Sequence, residues 1–158
     1  MAGIQWIVSG AQSGADRAAL DFAIDHRIPH GGWCPHGRKA EDSTIASRYK
    51  LQETTTSGYV QRTGWNVRDS DGTVVFSVAA ELTGGSKKTV FLAHKHGKPV
   101  LRISRDGSPT SPDQALLHFI QENNIKVLNI AGPRASKETG VSDFVKLVLR
   151  NALLSQQP

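Results

Sequence analysis

Apolar residues along this chain recur in two rhythms, and the alternation between them predicts the elements. Ile4-Gln5-Trp6-Ile7-Val8 is a short apolar run ending at Ser9-Gly10, the pattern of a buried strand. From Ser13 or Gly14 the spacing becomes helical. Ala15, Ala19, Phe22 and Ala23 share a face, Asp16 lies in the first turn, and the pattern stops before Pro29. Residues 31–56 are polar and turn-rich, with one short strand near Gly32-Trp33, and Ser57 is placed to cap a helix through about Val67. Thr73-Val74-Val75-Phe76-Ser77-Val78-Ala79 is rich in β-branched residues and reads as a strand, followed by a helix over about 88–96. Residues 99–103 form another strand, Ser111-Pro112-Asp113 opens a helix to Glu122, and residues 126–130 form the last strand. An amphipathic helix from about Ser142, carrying Phe144, Leu147, Val148 and Ala152, ends the pattern.

Strands alternating with helices imply right-handed crossovers, so the fold class is α/β. The expected architecture is three layers, a mainly parallel central sheet with helices on both faces. The 158 residues, 38% hydrophobic, suffice for one domain with a real core, expected over 1–154 with a polar tail at 155–158. Parallel sheets of this kind bind ligands outside the carboxyl ends of their strands.

Three of the strand-to-helix turns carry glycine and hydroxyl groups. They are Ser9-Gly10-Ala11-Gln12-Ser13-Gly14-Ala15-Asp16, Thr83-Gly84-Gly85-Ser86 and Gly132-Pro133-Arg134-Ala135-Ser136. Glycine lets backbone approach a ligand, and the unpaired N–H groups of a helix start attract an anion. The candidate ligand-binding residues are therefore Gly10, Gln12, Ser13, Gly14, Thr83, Gly84, Gly85, Ser86, Gly132, Arg134 and Ser136. Arg38 adds a cation from the middle loop. Arg62, with Asn66, joins the site if its helix starts near it. One such turn alone is as readily structural as functional; three on one sheet edge point to a ligand.

Common nucleotide signatures fail. The dinucleotide fingerprint needs glycine at 10, 12 and 15, where the chain has Gly10, Gln12 and Ala15. No phosphate-loop lysine follows Gly14, and Ser13 lacks the flanking glycines of a nucleophile elbow. In the middle loop Trp33 is placed to cover a flat ring, while Cys34 and His36 are too few for the four ligands of a zinc site, so no metal is expected. Of Lys87 and Lys88, at least one is expected to be solvated, and Asp71-Gly72 reads as a turn at the face opposite the site.

The formal charge of +5 favours an anionic partner, but the basic residues are scattered and no nucleic-acid motif is present. No run approaches the length of a membrane span, and the N-terminus has no signal-peptide pattern. A single cysteine fits a reducing compartment, so the expected location is the cytoplasm.

Taken together, residues 10–21 (Gly10-Ala11-Gln12-Ser13-Gly14-Ala15-Asp16-Arg17-Ala18-Ala19-Leu20-Asp21) resemble the opening of the molybdenum-cofactor carrier family. So do Gly32–Asp42, Tyr49–Thr54, Arg62-Thr63, Asn66-Val67, Asp69–Thr73 and Thr83-Gly84-Gly85-Ser86. The resemblance implies a Rossmann-like fold, shared with a superfamily that holds cytokinin-activating phosphoribohydrolases. It further implies a protein that binds, protects and transfers molybdenum cofactor (molybdopterin), or molybdate, without catalysis. Such a carrier is expected to be a homo-oligomer, a dimer or tetramer, that serves molybdenum-enzyme acceptor proteins. The alternative is a phosphoribohydrolase-like N-glycoside hydrolase. Against it, the enzymatic relatives follow a Gly-Gly-x-Gly-Thr motif with a glutamate, absent from Gly84-Gly85-Ser86-Lys87-Lys88-Thr89. Glu41, Asp42 and Glu53 offer substitute carboxylates from the loop.

Overall fold

A computed structural model describes residues 3–107 and 110–154; the tail expected at 155–158 lies outside them. Five parallel strands form the central sheet: β1 (Trp6–Val8), β2 (His30–Gly31), β5 (Gly72–Ser77), β6 (Val100–Ser104) and β7 (Val127–Ala131). Their order is β2-β1-β7-β5-β6. The helices are α1 (Ala15–Asp25), α2 (Tyr59–Arg68), α3 (Gly84–Lys95), α4 (Pro112–Glu122) and α5 (Val141–Leu149), the last running into a π-helical turn at Arg150–Leu154. This is a Rossmann-like α/β fold.

The period of two in β5 divides the layers. Val74 and Phe76 join the main core with Ala15, Ala19 and Phe22 of α1, Leu116 and Ile120 of α4, and Phe144 and Val148 of α5. Thr73, Val75 and Ser77 are buried too, on the opposite face, where α3 packs on β5 and β6 and α2 packs on α3. Because β1, β7 and β5 are neighbours, the turns that leave their carboxyl ends are neighbours as well.

The chain departs from the sequence reading in three places. Helix α2 has Gly58 rather than Ser57 at its N-cap, with no side-chain cap. The Thr56 N–H reaches the Gln61 side-chain oxygen instead (2.9 Å), so a helix residue reaches back to the chain before it. Helix α3 begins at Gly84, making Gly84-Gly85-Ser86 its first turn and not a loop before it. Glycine's poor helix propensity conceals that turn in the sequence.

Residues 31–56, finally, are anchored throughout. Short strands β3 (Trp33–Cys34) and β4 (Gln52–Glu53) pair in parallel. Ile45, Tyr49 and Cys34 build a second small core with Ala11 and Leu20. The Tyr49 hydroxyl donates to Asp21 (2.6 Å), and burial pushes that phenol up to about 12. At the amino edge of the sheet, Asp71 accepts the N–H groups of Lys126 and Val127 at 2.9 Å, as a turn residue.

Candidate functional site

A cavity of about 390 Å³ opens at the carboxyl ends of β1, β5 and β7. Gly10 and Gln12 of the β1–α1 turn line it, as do Thr83, Gly84, Gly85 and Ser86 of α3, and Gly132 and Arg134 after β7. Arg62 of α2 completes the set of sequence candidates that meet there. Ser13, Gly14, Arg38 and Ser136 do not line it.

Two carboxylates tie the three turns together. Glu41, from the middle loop, accepts the hydroxyls of Ser13 and Ser136 and the Ser136 N–H at 3.2 Å. Its own N–H donates to the Gln12 side-chain oxygen (2.8 Å), and the Ser13 hydroxyl accepts the Ala135 N–H (3.2 Å). Those hydroxyl bonds, the Ser13 one foremost, lower the Glu41 carboxyl below its ordinary range. Glu138, after β7, accepts the N–H groups of Val78 (2.6 Å) and Ala79 (3.1 Å) beyond β5. Ser13 and Ser136 thus hold the turns in register beside the cavity, and Ser9 stiffens the first one. Its hydroxyl donates to the Asp16 carbonyl (2.8 Å) and accepts the Ala11 N–H (3.2 Å), where Ala11 sits at φ 62. A non-glycine residue in that conformation stores strain of the kind that gathers at binding sites.

The first turn of α3 presents backbone to the cavity. Its N-cap, Thr83, makes no side-chain cap, so among the described residues that cap leaves the leading N–H groups, at the positive end of the helix dipole, open toward the cavity. Positive charge surrounds the opening: Arg62, Lys88, Arg134 and Lys137 all line it. Arg62 and Arg134 also flank the Tyr59 ring, 5.3 and 5.5 Å from its centroid.

Sequence reasoning missed Asp16, reading it as a residue that complements the helix dipole. It is a buried carboxylate lining the cavity, with Oδ2 3.0 Å from the Arg62 guanidinium, itself buried. Burial pushes the Asp16 carboxyl up to about 6, against the opposing pull of Arg62. The signal was in the pattern: Asp16 shares the apolar stripe of α1 with Ala19 and Ala23, where a charge needs a partner. Gly10 makes room for that partner, because a Cβ there would stand 1.9 Å from Arg62 Nη1. Asn66 also lines the cavity, but both ends of its amide hold the Trp33 backbone (2.8 and 2.9 Å).

Gln12 carries a loose end. Its oxygen accepts the N–H groups of Ser13 (3.1 Å) and Glu41 (2.8 Å), which fixes the amide's orientation; its Nε2 is buried without a partner among the described residues. An unpaired buried donor costs on the order of 1–3 kcal/mol, so its position in the lining suits an acceptor supplied from the cavity.

Arg38 and Trp33 are occupied elsewhere. Arg38 donates to the carbonyls of Ile45 (3.0 Å), Ala46 (2.7 Å) and Tyr49 (2.9 Å), folding the middle loop on itself. Trp33 stacks edge-on with Trp65 at 4.8 Å and donates to Asp69. Arg38→Ala is therefore expected to loosen the loop by about 1–3 kcal/mol, read as faster hydrogen exchange over 38–49, with anion affinity unchanged. A large loss of affinity would return Arg38 to the site.

A parallel α/β sheet with a cationic cavity at its carboxyl edge defines a Rossmann-like protein with a candidate ligand site. The chain matches the circularly permutated YpsA SLOG family over residues 7–153 and belongs to it. It is also similar to a solved structure, at 1.45 Å resolution, of a protein from Syntrophus aciditrophicus SB named "putative molybdenum carrier protein". The identity is 46%, the TM-score 0.91, and 96% of each chain is covered. No curated protein matches the chain.

Proposed function

We propose that this protein binds, protects and hands on molybdenum cofactor, with the cofactor's phosphate over the first turn of α3. The observation that carries the reading is the convergence of that helix start with Arg62, Lys88, Arg134 and Lys137 on one cavity. Free N–H groups and cations at one edge suit a small oxyanion-bearing ligand. The ligand's name comes from the sequence resemblance and from the name of the similar structure. Molybdate is the smaller cargo of the same chemistry. A carrier needs many modest hydrogen bonds and no reactive centre, and it works as a homo-oligomer that meets acceptor enzymes in the cytoplasm. Among the described residues, no helix is long and apolar enough to cross a membrane.

The test is to mix the purified protein with molybdenum cofactor and to follow co-elution and cofactor half-life. Co-elution with a lengthened half-life is expected; retention no better than that of an unrelated protein overturns the reading. N-glycoside hydrolysis of nucleoside monophosphates stays as a second reading because Asp16 places a carboxyl group in the cavity. Incubation with such monophosphates decides between the two: no free base is expected, and its release would favour the hydrolase.

A further inference from the structure

We infer that the site takes up its anion together with one proton, which comes to rest on the Asp16 carboxylate. This rests on the anion-binding reading above and adds to it a coupling that simple charge attraction lacks. Asp16 is the one carboxylate among the described residues that line the cavity. It is 6% exposed and its ion-pair partner Arg62 is 8% exposed, so neither charge is relieved by bulk water. While Asp16 is ionised it neutralises Arg62 and faces any incoming anion with a negative charge. Once it is protonated, Arg62 is released to the anion and the like-charge repulsion is gone.

The charged groups beside Asp16 and around its cavity leave it as the proton's destination. Arg17 lies beside it on α1, Arg62 on α2, Lys88 on α3, and Arg134 and Lys137 follow β7. Arginine and lysine keep their charge from pH 5 to 8. Glu41, at the edge of the same turns, is held below its ordinary range by its hydroxyl donors and stays ionised throughout. No histidine lines the cavity among the described residues. Among the described residues that line the cavity, Asp16 is the group whose charge changes in this interval, with its carboxyl pushed up by burial to about 6.

The sign follows from linkage. In the empty site Asp16 releases its proton above about pH 6, and a neighbouring anion raises the carboxyl further, so binding draws in a proton over the interval above 6. Affinity therefore falls as pH rises, by at most about tenfold per pH unit for one coupled proton.

Sulfate is the probe, because it keeps its double charge over the whole range and contributes no protons of its own. Titration calorimetry from pH 5.5 to 8, repeated in two buffers of different ionisation enthalpy, gives the affinity and the proton count. The expected result is uptake of up to about one proton near pH 7 and a dissociation constant that rises several-fold to tenfold per unit above 6.5. Asp16→Asn, which cannot ionise, is expected to bind with no pH dependence. Equal affinity at pH 5.5 and 8 with no proton uptake overturns the coupling and leaves the anion site standing. Failure of both sulfate and molybdate to bind at pH 5.5 overturns the site as well. If Asp16→Asn does not fold, the proton count on the unaltered protein decides alone.

Discussion

Replacing Gly85 by aspartate is expected to weaken molybdate or cofactor binding by at least a hundredfold while the protein stays folded. Gly85 lies in the first turn of α3 and lines the cavity, and a Cβ placed there meets nothing within 4 Å. Its backbone is outside the left-handed region, so a side chain imposes no conformational strain. The new carboxylate would occupy the helix start, satisfy the N–H groups assigned to the ligand in the proposed function, and repel an anion at close range. A hundredfold loss corresponds to about 2.7 kcal/mol, within the reach of a like charge in a partly closed site. The same carboxylate favours the helix itself by roughly 0.3–1 kcal/mol, so the melting temperature should hold or rise slightly. Gly85→Ala is the control, expected to keep affinity within a few-fold because the space is open. Calorimetric titration and a thermal melt on both variants test this. Unchanged affinity in Gly85→Asp would move the anion away from α3.

Much of the frame is legible in the sequence because parallel strands buried on both faces read as apolar runs. Thr73–Ala79 and Lys126–Ile130 are such runs, and β5 and β7 fall within a residue or two of them. The positions of three glycine-rich turns at one edge follow from the same alternation once β1, β7 and β5 prove adjacent. The limits are physical too. Local composition says that 31–56 is irregular, but its anchoring depends on pairings as distant as Tyr49 with Asp21 and Arg17 with Asp42. No local pattern encodes those contacts. Arg38 looked like a ligand cation because guanidinium suits oxyanions, yet carbonyl oxygens of its own loop are nearer. Asp16 and Arg62 show the converse. Each sits at a core-facing position of its helix, so the pair is legible as a conflict of charge and burial, though its partner choice is not.

Gly14→Ala is expected to be the most destabilising of the glycine substitutions at the site, costing about 3–5 kcal/mol and lowering the melting temperature by roughly 10 °C or more. Two independent effects combine. Gly14 adopts φ 86, where an L side chain is strained by about 1–2 kcal/mol. Its added Cβ would also stand 2.5 Å from the Pro133 carbonyl oxygen, 2.6 Å from the Ala135 nitrogen and 2.7 Å from the Arg134 carbonyl carbon. All three are backbone atoms, so no rotamer change relieves the contact; the turn after β7 must move as a whole. That movement breaks the Ala15 N–H bond to Pro133 (3.2 Å) and the Ser13–Ala135 link, and with them the register of Arg134 at the cavity. Gly84 supplies the comparison. It too is left-handed, at φ 52, but a Cβ there meets nothing within 4 Å, so Gly84→Ala carries the conformational cost alone. Thermal melts of the two variants separate the contributions: the difference between them measures the close approach of the two turns. Equal destabilisation would mean that the turns tolerate separation and that their contact does not set the shape of the site.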